Sequence, residues 1–209
     1  MEIQKSGIPS SLLAIGLAFF ISAESPAAIS IFNGDFQDLS GLTSIGGGWY
    51  NGVPAGWTGN SSSYNVVDWN SGNYAANVQT LGPASPFIPL YQSAGLLDSA
   101  GTVTLSFNIL GFSGTYGMAA AIYEATAGGS PASWTSLASA TYDQTSGSLQ
   151  TLQALNVAAN TPIAVAFWSW AGSPGVDNVN LVPEPSALSL LVMGSALTLL
   201  VASHRRQQS

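Results

Sequence analysis

The chain has 209 residues and a formal net charge of −7, with three Lys or Arg, one His and no Cys. Lys5, His204, Arg205 and Arg206 lie at the two ends, so nothing between them carries a positive side chain. That excludes nucleic acid, whose phosphates need Lys or Arg to neutralise them, and makes anionic headgroups poor partners. It also removes disulfides, thiolate chemistry and Cys-bound zinc.

Residues 1–30 read as an export signal with a signal helix. Lys5 is a minimal basic start, "SLLAIGLAFFIS" (Ser11–Ser22) is the apolar core, and Ala28 and Ser30 are small residues suited to a cleavage site. Residues 31–181 then form one domain large enough for a real core. Short alternating runs are separated by Gly, Pro, Asn and Ser, and no amphipathic helix is visible. Strands are predicted over Ile29–Phe32, Tyr64–Trp69, Tyr74–Thr80, Ile88–Ser93, Thr102–Leu110, Tyr116–Ala125, Leu137–Asp143, Leu149–Val157, Pro162–Trp170 and Val176–Val182. Gly41–Gly56 and Asn70–Asn73 read as loops. "TVTLSFNIL" puts Val103, Leu105, Phe107 and Ile109 on one side. "PIAVAFWSW" puts Ile163, Val165 and Phe167 on one side and Ala164, Ala166, Trp168 and Trp170 on the other. The expected fold is an all-β, antiparallel two-sheet β-sandwich of jelly-roll type.

Residues 182–209 are a different kind of segment. Ala187–Ala202 is sixteen residues without a charge, roughly 24 Å as a helix, against a hydrocarbon core of about 30 Å. A transmembrane helix over 187–202 is therefore short but feasible, and His204, Arg205 and Arg206 would hold its end in the cytoplasm. By length alone, a permanent anchor and a removable address are both open.

"VPEPSALSLLVMGSALTLLVASHRR" resembles the PEP-CTERM sorting signal of exported proteins from exopolysaccharide-producing Gram-negative bacteria. Pro183-Glu184-Pro185, the apolar span and the pair Arg205 and Arg206 occur in the family's order. The resemblance implies an exosortase-type membrane enzyme as partner. It also implies a transient stay in the inner membrane and delivery to the cell surface or extracellular matrix. A second resemblance runs through "FNGDFQ", "PAGWT", "LYQS" before "GTVTLSF", and "PGVDNVNL". These words look like the galactose-binding-like jelly rolls, a class that includes many carbohydrate-binding modules. That resemblance implies a structural calcium joining the first and last strands, with Asn33, Asp35 and Asp177 as the equivalent positions.

The domain lacks an imidazole base and any cation to stabilise a developing anion. Only paired carboxylates could catalyse, as in glycoside hydrolysis, and Glu124 and the aspartates are scattered along the chain. The expectation is a non-catalytic protein. Aromatics carry more information. Trp49, Tyr50, Trp57, Tyr64, Trp69 and Tyr74 cluster in the N-terminal third, and Trp168 and Trp170 form a second pair. Flat apolar rings beside Asn, Ser and Asp suit sugar rings, so Trp49, Tyr50, Trp69, Tyr74, Trp168 and Trp170 are the expected ligand contacts and a neutral polysaccharide the expected partner. Trp57 in "PAGWT" is expected to pack under a turn. The alternatives are a structural biofilm or surface protein with no small ligand, and a carboxylate-dependent glycosidase.

Overall fold

The computed structural model describes residues 29–59, 64–78, 89–111, 115–143, 145–146 and 148–185. The expected export segment up to residue 28 and the apolar span 187–202 lie outside the described residues. Among the described residues no helix is long and apolar enough to cross a membrane. Eleven strands build the domain: β1 (Thr43–Gly46), β2 (Trp49–Asn51), β3 (Tyr64–Asp68), β4 (Tyr74–Val78), β5 (Leu90–Leu97), β6 (Gly101–Gly111), β7 (Gly117–Glu124), β8 (Thr135–Asp143), β9 (Leu149–Val157), β10 (Thr161–Ala171) and β11 (Pro174–Pro185).

They form two antiparallel sheets, one of seven strands in the order β1-β2-β3-β4-β11-β6-β9 and one of four in the order β5-β10-β7-β8. The period-two pattern explains how they face each other. Val103, Leu105, Phe107 and Ile109 of β6 are buried, as are Ile163, Val165 and Phe167 of β10, and both sets belong to one core. Met118, Ala120 and Ile122 of β7 complete the wall opposite Val176, Val179 and Leu181 of β11. The two-sheet antiparallel sandwich expected from the pattern is what forms.

A chain of aromatic contacts runs through this core. Phe36 meets Trp57 at a centroid distance of 5.3 Å, Trp57 meets Phe167 at 6.0 Å, Phe167 meets Phe107 at 5.0 Å, and Phe107 meets Tyr142 at 5.4 Å. Tilted and edge-on pairs of this kind add to the burial itself. Trp57 does pack under a turn: its N–H donates to Pro54 O at 3.0 Å and its Nε1 to Asn33 O at 3.2 Å.

Four elements differ from the sequence expectation. Ile29–Phe32 is not a strand. Ile29 nevertheless sinks into the core at 3 % exposure, and Ser30 N–H donates to Ala94 O at 3.2 Å, so the packed domain includes the last two residues of the expected export segment. Gly41–Gly56 is not a plain loop. It contains the β1–β2 hairpin, whose connection runs through Gly46, Gly47 and Gly48, all at positive φ. Glycine-rich sequence hid it, because such a turn costs only glycine little strain. β5 continues past Ser93 to Leu97, pairing with β10 as far as Thr161.

β11 runs past Val182 to Pro185, so Pro183-Glu184-Pro185 belongs to the sandwich, with Pro183 opposite Val103 and Pro185 opposite Gly101. Proline fits a strand where no ladder N–H is required. Among the described residues β4 pairs with β11 only at Gly175 and Val176, and Val179 N–H goes to Gly34 O instead. Thr104 Oγ1 donates to Glu184 Oε1 at 2.7 Å and ties the strand end down.

Candidate functional site

The outward face of the four-stranded sheet is unusual. Register brings Tyr91 of β5, Ala166 of β10, Ala121 of β7 and Ser139 of β8 into one row across the strands. The neighbouring row holds Trp168, Ala119 and Thr141. Ala119, Ala121, Ala164 and Ala166 are buried although they point away from the core, and large rings pack against Ala121 and Ala166. Ala121, Tyr123 and Ala166 form an apolar cluster of their own, with Tyr91, Trp134 and Trp168 packed on it. Alanine makes a flat floor; the rings supply the relief.

Trp134 reaches this floor from the β7–β8 connection. It meets Tyr91 edge-on at 5.3 Å and Tyr123 at 6.0 Å. Its Nε1 donates to Thr126 O at 3.2 Å, and Ser133 Oγ donates to Ser130 O at 2.9 Å, which folds the connection back on itself. A side chain on Gly129 would meet Trp134 Nε1 at 2.8 Å, so glycine is needed for that closure. Beyond Trp168 stands Trp170, 51 % exposed. Trp170 lies against the backbone of Gly117, where an added Cβ would come within 2.4 Å of its Nε1. Tyr91, Tyr123 and Trp134 were not singled out by sequence. The available signal was the pairing of small with large residues between strands, which shows only once the register is known.

The N-terminal aromatics divide between two sides of the seven-stranded sheet. Tyr50 pairs with Val66, which pairs with Ala76 of the core. Tyr74 packs on the same core, and Tyr50 meets it edge-on at 5.7 Å. A hydrogen bond that the Tyr74 hydroxyl donates to Tyr50 is the main cause that raises its pKa above the ordinary value, with burial next. Both tyrosines therefore lie on the inward side. Trp49 pairs with Val67 and Val67 with Ala75, on the outward side. Trp69 follows in the turn, 40 % exposed, its N–H on Asn73 O at 2.8 Å. Sequence clustering thus brought together residues that the sheet separates.

The third location is the junction of the 33–38 turn with β11. Gly34 O accepts from Val179 N–H at 2.8 Å, and a Cβ on Gly34 would collide with Val179 O at 2.1 Å. The "NGDF" and "VDNV" segments are therefore in contact. Asp177 is 2 % exposed. Its Oδ1 accepts from Asn178 N–H at 2.7 Å, and its Oδ2 accepts from Asn178 Nδ2 at 3.1 Å and Asn73 Nδ2 at 3.4 Å. Burial raises its pKa above the ordinary carboxylate value, and the negative charge of Asp35 raises it further, against the lowering effect of those amides. Asn33 works mainly for its own loop: Nδ2 donates to Asp38 O and Ala55 O, and Oδ1 accepts from Asp38 N–H at 2.9 Å. Among the described residues no three His, Cys, Asp or Glu side chains gather as a metal cluster. Asp35 and Asp177 are the carboxylates of this junction, close enough for the charge of Asp35 to act on Asp177.

No protein-family profile matches the sequence, and no curated protein matches it. Solved structures do show a likeness. A CBM4 structure is 18 % identical with a TM-score of 0.45, covering 74 % of this chain and 99 % of the other. The CBM22-1 xylan-binding domain from Paenibacillus barcinonensis Xyn10C is 12 % identical with a TM-score of 0.45, covering 79 % and 100 %. The N-terminal cellulose-binding domain from Cellulomonas fimi β-1,4-glucanase C is 15 % identical with a TM-score of 0.45, covering 69 % and 99 %. At these identities and scores the likeness is one of general sheet arrangement. Any ligand contacts have to come from this chain's own side chains.

Proposed function

We propose that this domain is a non-catalytic carbohydrate-binding sandwich, with its sugar platform on the outward face of the four-stranded sheet. The observation that carries the reading is the alanine floor of Ala121 and Ala166 lined by Tyr91, Trp134 and Trp168, with Ala119 paired to Trp168 and Trp170 exposed beyond it. Rings at fixed heights above a flat floor suit the C–H faces of sugars, and Ser139 and Thr141 offer hydroxyls in the same rows. The domain's charges are all acidic, which favours a neutral polysaccharide over an anionic one. The lack of any His, Lys or Arg from residue 29 to 185 supports a binding role over a catalytic one. A glycan array probed with the folded protein tests the reading. Binding of neutral glycans that is weakened in Trp170→Ala supports it; a blank array with folded protein removes it.

A calcium ion at the junction belongs to the same proposal, held by Asp35 and Asp177, while Asn33 positions the turn. Calcium should raise the melting temperature of the wild type and leave Asp177→Asn unmoved; an unchanged wild type ends the idea. The route is also proposed: export, a transient stay in the inner membrane, and release to the surface or matrix by an exosortase-type enzyme reading Pro183-Glu184-Pro185. Mass spectrometry of released protein ending before Ala187 supports that route, and an intact Arg206 restores a permanent anchor.

A second reading, a self-associating structural protein, has one observation in its favour. β9 is the edge strand of the seven-stranded sheet and carries no charge, and its Leu149 and Leu155 are 68 % and 66 % exposed. Against it, the register slips between Gly101 and Val103, and Asn156 there takes a positive φ, a bulge of the kind that discourages edge pairing. Sedimentation over a concentration series separates the two readings.

A further inference from the structure

The outward face of the other sheet holds a pattern that fold stability does not explain. Asn51 of β2 pairs with Asn65 of β3, Asn65 with Asn77 of β4, and Asn77 with Gly175 of β11. Asparagine is disfavoured in strands, yet three stand in one row across three strands. Asn77 is 3 % exposed, and its Oδ1 is buried without a hydrogen-bond partner among the described residues. An acceptor withdrawn from water and given no donor is costly, and such atoms in a folded protein call for an explanation. Beside this row lie Trp49, paired with Val67, and Trp69 in the following turn.

We propose that this face is a second neutral-glycan site, in which Trp49 and Trp69 take the apolar faces of sugar rings and Asn51, Asn65 and Asn77 take their hydroxyls. The proposal rests on the carbohydrate reading of the domain but concerns the opposite sheet. Each amide both donates and accepts, which matches hydroxyls and not carboxylates or phosphates. Asp177 lies two residues along β11 from Gly175, the partner of Asn77, and its carboxyl would repel an anionic ligand. Neighbouring strands lie about 4.8 Å apart, so the amides recur across the sheet at a step comparable with the length of one sugar ring. A chain lying across β2, β3 and β4 would meet the Asn51 and Asn65 amides directly, and the buried Asn77 amide once the side chains over it shift. With one platform on each outward face, each domain bridges two polysaccharide chains instead of decorating one.

Isothermal titration of the full chain in mild detergent with xylohexaose, cellohexaose and a β-1,4-galactan hexaose tests this. Two ligands per chain are expected for at least one probe. Trp170→Ala should leave one of them. Asn65→Ala and Trp69→Phe should weaken the other about tenfold, roughly 1.4 kcal/mol, with unchanged melting temperature. A single site abolished by Trp170→Ala and unmoved by Asn65→Ala overturns the second site and leaves the first. A single site lost in Asn65→Ala and retained in Trp170→Ala removes the four-stranded platform and keeps the asparagine site. No heat with any of the three overturns both.

Discussion

The inward and outward faces of the four-stranded sheet use the same strands for opposite ends. Along β10, Ile163, Val165 and Phe167 point inward and fill space left by the other sheet, while Ala164, Ala166, Trp168 and Trp170 point outward. Both faces are apolar, and among the described residues only the inward one is covered by a second sheet. The inward face interlocks branched and aromatic side chains, where shape is dictated by the opposing layer. On the outward face there is no opposing layer among the described residues, so small residues and large rings alternate and the rings become the relief. Apolar surface without a covering sheet is the feature that marks a binding surface.

Four experiments would break or sharpen that contrast. Phe167→Ala should have the largest effect, because it removes the centre of the chain from Phe36 to Tyr142. A loss of about 3–5 kcal/mol is expected from chemical denaturation, and a loss below 1 kcal/mol would mean that the inward face is not the stabilising one. Trp168→Ala on the outward face should do the reverse. It should lower glycan affinity by about 1–2 kcal/mol while costing less stability than Phe167→Ala; equal stability losses would erase the distinction between the faces.

The third test concerns pH. Asp177 ionises less readily in the folded chain than in the unfolded one, first through burial and then through Asp35. Between the ordinary carboxylate value and the raised one, the folded state therefore holds more protons than the unfolded state. Stability should fall as pH rises through that window, and Asp177→Asn should flatten the fall. The exposed Asp38 and Asp143 carboxylates act in the opposite direction, lowered mainly by hydrogen bonds from Ser40 and Thr145. Denaturation midpoints across the acidic range in chelator decide it; a midpoint that rises with pH in wild type and variant alike refutes the Asp177 account. The smallest effect is expected from Tyr142→Phe. The Tyr142 hydroxyl is buried without a partner among the described residues, so deleting it should change stability by less than about 1 kcal/mol, with either no loss or a gain. A clear loss would reveal a donor or acceptor for it.

By itself the sequence determined the fold class and the inward residues, because burial on one face leaves a period of two that can be read without coordinates. Val103, Leu105, Phe107 and Ile109 were legible for that reason, and so was Trp57 under its turn. The absence of basic side chains likewise set the expectation of a neutral over an anionic ligand. Register was decided only in three dimensions. Tyr50 and Trp49 are adjacent in sequence and lie on opposite sides of a sheet, while Tyr91 and Trp134 are far apart and touch. The hairpin within Gly41–Gly56, the capture of Pro183-Glu184-Pro185 by β6, and the asparagine row across β2, β3 and β4 all depend on which strand lies beside which. That choice is made by long-range pairing, where each contact joins residues remote in the chain, and local pattern carries little information about it.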